Sequence, residues 1–161
     1  MINKRLLASA VAASTLALTG VANAEVKVGF LGGFTGGIES LTPPILDGAR
    51  LAVEQVNAQG GLLDGQELVM PTGDTTCSDA SAASNAADRM VNTEEVSAIV
   101  GALCTGATIA AANNAAVPGG VLMVSPASTA PAVTEIDDND LVFRTVPSDA
   151  FQGEMLAKLL L

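Results

Sequence analysis

The stretch VKVGFLGGFTGGIESLTPPILDGARLAVEQVNAQGG, residues 26–61, decides the fold. Residues 26–31 (VKVGFL) are apolar and partly β-branched, which predicts a buried strand. Residues 32–37 (GGFTGG) predict a loop. From Pro44 to Gln59, apolar side chains recur at Ile45, Leu46, Ala49, Ala52, Val53 and Val56. That spacing predicts a helix with one apolar stripe. Pro44 suits its first turn and Gly60-Gly61 its end.

Working outward, the same alternation continues. Residues 67–70 (ELVM) predict a second, short strand. Ser78 is placed to cap a helix reaching about Asn92, with Ala80, Ala83, Ala87, Met90 and Val91 on its inner face. Residues 97–103 (SAIVGAL) predict a third strand, and 107–117 an alanine-rich helix. Residues 121–124 (VLMV) predict a fourth strand and 141–143 a fifth. Ser148 is placed to cap a last helix that is still apolar at Leu159-Leu160-Leu161. Strands alternating with helices predict parallel pairing in an α/β, doubly wound sheet. The strands lack a clean polar alternation, as expected when helices cover both faces. The uncapped apolar finish suggests the first part of a longer protein.

Residues 1–24 read differently. Lys4 and Arg5 precede the apolar run LLASAVAASTLALTGVA, which ends in the small-x-small site Ala22-Asn23-Ala24. This is the pattern of a secretory signal peptide. Removing these 24 of the 161 residues leaves five basic side chains (Lys27, Arg50, Arg89, Arg144, Lys158) and all 17 acidic ones, a formal charge of −12. An acidic exported chain avoids anionic partners. Nucleic-acid binding is disfavoured further by the 2% aromatic content. The chain has no His, which excludes a histidine base or a histidine-ligated metal. Two cysteines are too few for a four-cysteine zinc site. No Ser or Cys nucleophile has a visible base, and neither a cofactor nor a metal is expected.

In an oxidising compartment Cys77 and Cys104 can pair. Two separate buried thiols are the alternative, and no Cys-x-x-Cys spacing points to a redox pair. In open α/β sheets, ligands bind outside the carboxyl ends of the strands. Three segments fall there: 32–41, Cys104-Thr105-Gly106, and 125–131 (SPASTAP). Thr105 opens a helix, whose free N–H groups favour an anion such as a carboxylate. Ser128 and Thr129 add hydroxyls, and the loop backbone adds donors and acceptors. With no Lys or Arg nearby in sequence, a small zwitterion fits better than a phosphate. Capping and turn formation are the ordinary uses of the same residues. GGFTGG lacks both the dinucleotide fingerprint and the G-K-[ST] phosphate loop. Asp137, Asp138 and Asp140 lack the spacing and glycine of an EF-hand, and read as a solvated loop.

The segments DGARLAVEQVNAQGG (47–61), GALCTG (101–106), MVSPASTAP (123–131) and FRTVPSDAFQG (143–153), with the cysteine pair, resemble the leucine/isoleucine/valine-binding protein family. These are periplasmic substrate-binding subunits of branched-chain amino acid ABC transporters. The resemblance implies a type I periplasmic-binding fold of two α/β lobes closing on a ligand. Residues 25–147 would form the N-terminal lobe and 148–161 the start of the second. It implies an extracytoplasmic monomer that captures an amino acid ligand and delivers it to a membrane permease. A sensory module of the same fold, for an amide, urea or small aromatic acid, is the alternative. An exported enzyme is a third reading, and would need a catalytic constellation in a further lobe. By the resemblance, Thr105 binds the ligand carboxylate. The turn Ala127, Ser128, Thr129 contacts the head group, with the Thr129 hydroxyl and N–H on the carboxylate and the Ala127 carbonyl near the ammonium. Leu41 stands where the family often has an aromatic residue against the ligand side chain. The acid that pairs with the ammonium comes from the second lobe.

Overall fold

A computed structural model describes residues 25–63 and 65–160. The expected signal peptide, residues 1–24, lies outside them. The chain order is β1 (Val26–Gly32), α1 (Thr42–Ala58), β2 (Leu68–Val69), β3 (Thr72–Asp74), α2 (Ala80–Asn92), β4 (Ala98–Gly101), α3 (Thr105–Ala111), β5 (Leu122–Ser125), β6 (Val142–Arg144) and α4 (Asp149–Leu160). A π-helical turn, Ala112–Ala116, extends α3, and a 3-10 turn, Pro131–Glu135, leads towards β6. The six-stranded sheet runs β2-β1-β4-β5-β6, with β3 also on β1, and every strand pairing is parallel.

The expected doubly wound architecture is present. Adjacent residues of β1 point to opposite faces, as strand geometry requires. Phe30 joins Leu46 of α1 and Leu103 in a small cluster, with Ile45, Ala49 and Ala127 packed against it. Leu31 joins the larger core on the other face, with Ala83, Ala87 and Met90 of α2, Ala107 and Ala111 of α3, and Ile99 and Met123 of the sheet. Small alanine faces let α2 and α3 lie close to each other and to the strands. The chain path explains the two layers. From β1 through α1 to β2 it moves one way along the sheet, and from β3 through α2 to β4 the other. Right-handed crossovers then place the helices on opposite faces.

Several expectations shift. The strand expected at 67–70 is shorter, Leu68–Val69, and an unexpected strand, Thr72–Asp74, follows Pro71, which cannot donate to the ladder but whose carbonyl accepts from Phe30 N–H at 2.8 Å. Asp79, not Ser78, caps α2, with Oδ1 accepting from the Ser81 and Ala82 N–H groups at 2.7 and 3.3 Å. Consequently Ala80 sits exposed at the first turn, not on the inner face. Ala52, expected in the α1 stripe, is also exposed. The alanine-rich helix starts two residues early, at Thr105, and widens into the π turn before Pro118. Ser148 does sit at the head of α4, its Oγ accepting from Ala150 N–H at 3.3 Å. α4 buries none of its residues, and Phe151, Met155, Leu156, Leu159 and Leu160 are exposed. No helix among the described residues is long and apolar enough to cross a membrane.

Candidate functional site

Strand order reverses between β1 and β4, the place where sheets of this kind take a ligand at the carboxyl ends of their strands. Gly101, at the tip of β4, has φ +132°, and a Cβ there would run into the Leu31 carbonyl. Only glycine lets the two strand tips approach so closely. The chain then passes Cys104, which lends no side chain to cap α3. Thr105 therefore begins a helix whose first N–H groups lack a capping side chain.

The β5 tip lies directly beside it. The Thr105 hydroxyl accepts from Ala130 N–H at 3.4 Å. Two of the three expected segments are thus brought together. A buried hydroxyl knot joins them from below. The Ala102 carbonyl accepts from Ser125 Oγ (2.6 Å) and has Thr108 Oγ1 and Ser128 Oγ at 3.1 and 3.4 Å, one of which donates to it while the other donates within the pair. Thr108 Oγ1 and Ser128 Oγ lie 2.7 Å apart. Ser125 Oγ also accepts from Ser128 N–H at 3.0 Å. Every hydroxyl of the knot finds a partner, as burial demands. Ser128 is 1% exposed, so its hydroxyl serves the interior of the turn and not its outer surface.

Thr129 faces outward. Its Oγ1 donates to Asp149 Oδ2 at 3.1 Å, and its carbonyl accepts from Asp149 N–H at 2.9 Å. Ala127 packs on the Phe30–Leu103 cluster together with Phe34 and Ile38 of the first loop. Leu41 stands just before α1, 58% exposed, with its N–H on the Ile38 carbonyl at 2.9 Å. No hydrogen bond links it to Thr105 or to the 127–129 turn.

The first loop is pinned by a residue that local sequence patterns do not mark. Asp74, ending β3, accepts from Thr35 Oγ1 (2.6 Å) and from the N–H groups of Phe34 (2.9 Å), Thr76 (2.9 Å) and Thr35 (3.4 Å). Burial by itself would raise the Asp74 carboxyl. The hydrogen bonds from the Thr35 hydroxyl and from the Thr76, Phe34 and Thr35 N–H groups outweigh it and hold the carboxyl below its ordinary range. A lowered carboxyl favours the folded chain whenever it is ionised. That contribution is present above the unfolded value, near 3.8, and is lost as pH falls through the lower folded value. Asp74→Asn should therefore narrow the stability gap between neutral and strongly acidic pH, as read by urea unfolding at a series of pH values. An unchanged pH profile would remove Asp74 as the brace.

Two more ties complete this edge. Thr75 donates its N–H and Oγ1 to the Gly32 carbonyl at 2.7 and 3.0 Å. Cys77 and Cys104 form a disulfide, Cα–Cα 5.5 Å, that joins the loop after β3 to the start of α3. Arg144, at the end of β6, was not among the expected site residues. It reaches the 128–130 turn, so a cation does stand beside this edge, 14–16 residues downstream in sequence. Its position at another strand's carboxyl end was the available signal. Among the described residues there is no group of three or more His, Cys, Asp or Glu side chains that could hold a metal.

A family model described as "Periplasmic binding protein" matches residues 25–160. A Leu/Ile/Val-binding protein of Citrobacter freundii is 35% identical over 159 residues, covering 98% of this chain and 41% of that protein. The chain thus spans about two fifths of the length of the curated relatives it matches. A branched-chain amino acid transporter substrate binding protein of Streptococcus pneumoniae, solved in complex with isoleucine, superposes with a TM-score of 0.70 at 32% identity, over 78% of this chain and 35% of that one. An ABC transporter substrate-binding protein of Desulfitobacterium hafniense, in complex with Leu, gives 0.73 at 29% identity, over 85% and 38%.

Proposed function

Because this chain belongs to the periplasmic binding protein family, we propose that it is the first lobe of a two-lobed, exported receptor for branched-chain or related amino acids, which passes its ligand to the permease of an ABC importer. The observation that carries the proposal is the junction of two strand tips, with Thr105 Oγ1 3.4 Å from Ala130 N. Between them, hydroxyls and main-chain N–H groups come together beside the point where the strand order reverses. In this reading residues 1–24 direct export and are removed.

The chemistry follows from the charges of the ligand. A carboxylate is stabilised by the Thr105 hydroxyl, the N–H groups of the first α3 turn and the Thr129 N–H. The Thr129 hydroxyl exchanges its exposed bond to Asp149 for the ligand. The Ala127 carbonyl faces the ammonium, whose countercharge comes from a second lobe. Ser128 contributes by holding the turn through its buried hydroxyl, and Leu41 borders the ligand side chain. Burying both charges is tolerable only when each finds partners, so the lobes close when ligand is present. The role is capture and release, without bond making or breaking.

Thermal denaturation of the two-lobed protein, screened with amino acids, their amides and small carboxylates, tests this. Leucine, isoleucine or valine should raise the melting temperature, and leucinamide should raise it less. Thr129→Val should then weaken the best amino acid by about 1–3 kcal/mol, because a buried carboxylate oxygen is left without its hydroxyl donor. No shift with any amino acid would sink the proposal. Unchanged affinity in Thr129→Val would make the turn purely structural.

A further inference from the structure

We infer that Arg144 is a positioning residue that sets which way the 128–130 turn presents its N–H groups, and so whether the site prefers a carboxylate over an amide. The inference rests on the reading above. Arg144 Nη1 lies 3.5, 3.1 and 2.8 Å from the carbonyl oxygens of Ser128, Thr129 and Ala130. Arg144 Nη2 donates to the Thr134 hydroxyl in the following 3-10 turn. Three successive carbonyls therefore converge on one cation. Among the described residues the only ion pair is Arg89–Glu94, so no carboxylate stands within ion-pair distance of Arg144.

In a trans peptide the N–H points opposite to the carbonyl of the same plane. With the Ser128 and Thr129 carbonyls drawn towards Arg144, the Thr129 and Ala130 N–H groups turn away from it. The Ala130 N–H does so visibly, donating to Thr105 Oγ1 on the neighbouring strand tip. The Thr129 N–H has no hydrogen-bond partner among the described residues. Pro131 follows and has no N–H to confuse the pattern. The guanidinium also polarises the peptide planes it holds, strengthening the donors on their far side. Arg144 thus acts on a ligand through the turn and without touching it.

The test compares the two-lobed protein with its Arg144→Met and Arg144→Lys variants. Leucine and leucinamide affinities are measured by calorimetry, and ligand-free melting is measured in parallel. Arg144→Met should lose at least tenfold in leucine affinity and lose less in leucinamide affinity, so that the preference for the acid shrinks. Arg144→Lys keeps the charge and three donors, and should recover part of that preference. In the unaltered protein, the Thr129 amide resonance should move when leucine is added, a readout that does not depend on a variant folding. A folded Arg144→Met with an unchanged leucine-to-leucinamide ratio overturns the inference, as does a Thr129 amide unmoved by leucine. If the unaltered protein binds no amino acid at all, the functional reading itself has failed.

Discussion

Replacing Cys77 and Cys104 together with alanine is expected to destabilise the fold by about 3–4 kcal/mol. The bond closes a loop with a sequence separation of 27. In the chain-entropy description, a loop of that length restricts the unfolded chain by roughly this amount. The folded side of the balance adds a local effect. Thr76 and Cys77 both have positive φ, 53° and 64°, a region that side chains with a Cβ adopt at a cost. The disulfide and the Asp74 hydrogen bonds hold them there. Without the bond, the 75–79 loop should relax first, and the start of α3 with it. Urea unfolding of the double variant, compared with the reduced and oxidised parent, measures the loss. A cost below about 1 kcal/mol would mean that Asp74 and Thr75 already constrain the edge, and that the unfolded chain is compact enough to make the cross-link redundant.

The second large effect concerns binding. Residues 25–161 alone should bind leucine no tighter than about millimolar, at least ~4 kcal/mol weaker than a micromolar two-lobed receptor. In the proposed site these residues offer a carboxylate donors at Thr105, Thr129 and the opening of α3. For the ammonium, the expected contact here is one carbonyl, that of Ala127. Half of the ligand stays in water, where its hydrogen bonds are already satisfied, and little net gain remains. Calorimetry on this lobe decides the matter. Micromolar leucine affinity would show a complete site within these residues and contradict the two-lobed mechanism.

Elements that rest on local chemistry were readable in the sequence. The strand–helix alternation, the parallel sheet and the helix stripes follow from apolar spacing and from Pro and Gly punctuation. The pairing of Cys77 with Cys104 was one of two open readings, and the structure contains it. The meeting of the β4 and β5 tips followed from a general property of such sheets. Features that depend on distant parts of the chain were not readable. Ser78 and Asp79 are both competent caps, and their choice turns on one residue of register. Thr72–Asp74 is too short and too polar to read as a strand, and it forms one through its pairing with β1. Ser128 looked outward as a hydroxyl in a polar loop, yet tertiary packing turned it towards Ala102 and Thr108. Asp74 and Arg144 matter through partners up to 40 and 16 residues away, and no local pattern encodes those partners.

The ties along the carboxyl edge of the sheet have one more consequence. Loops fastened to one another lose their freedom when the chain folds, before any solute arrives. Under the function proposed above, association need not freeze them again, and the remaining entropic loss is the rigid swing of one lobe onto another. Under that same proposal, a template so stiff recognises only what all α-amino acids share. Discrimination between one aliphatic tail and the next must come from surfaces still free to adjust around it.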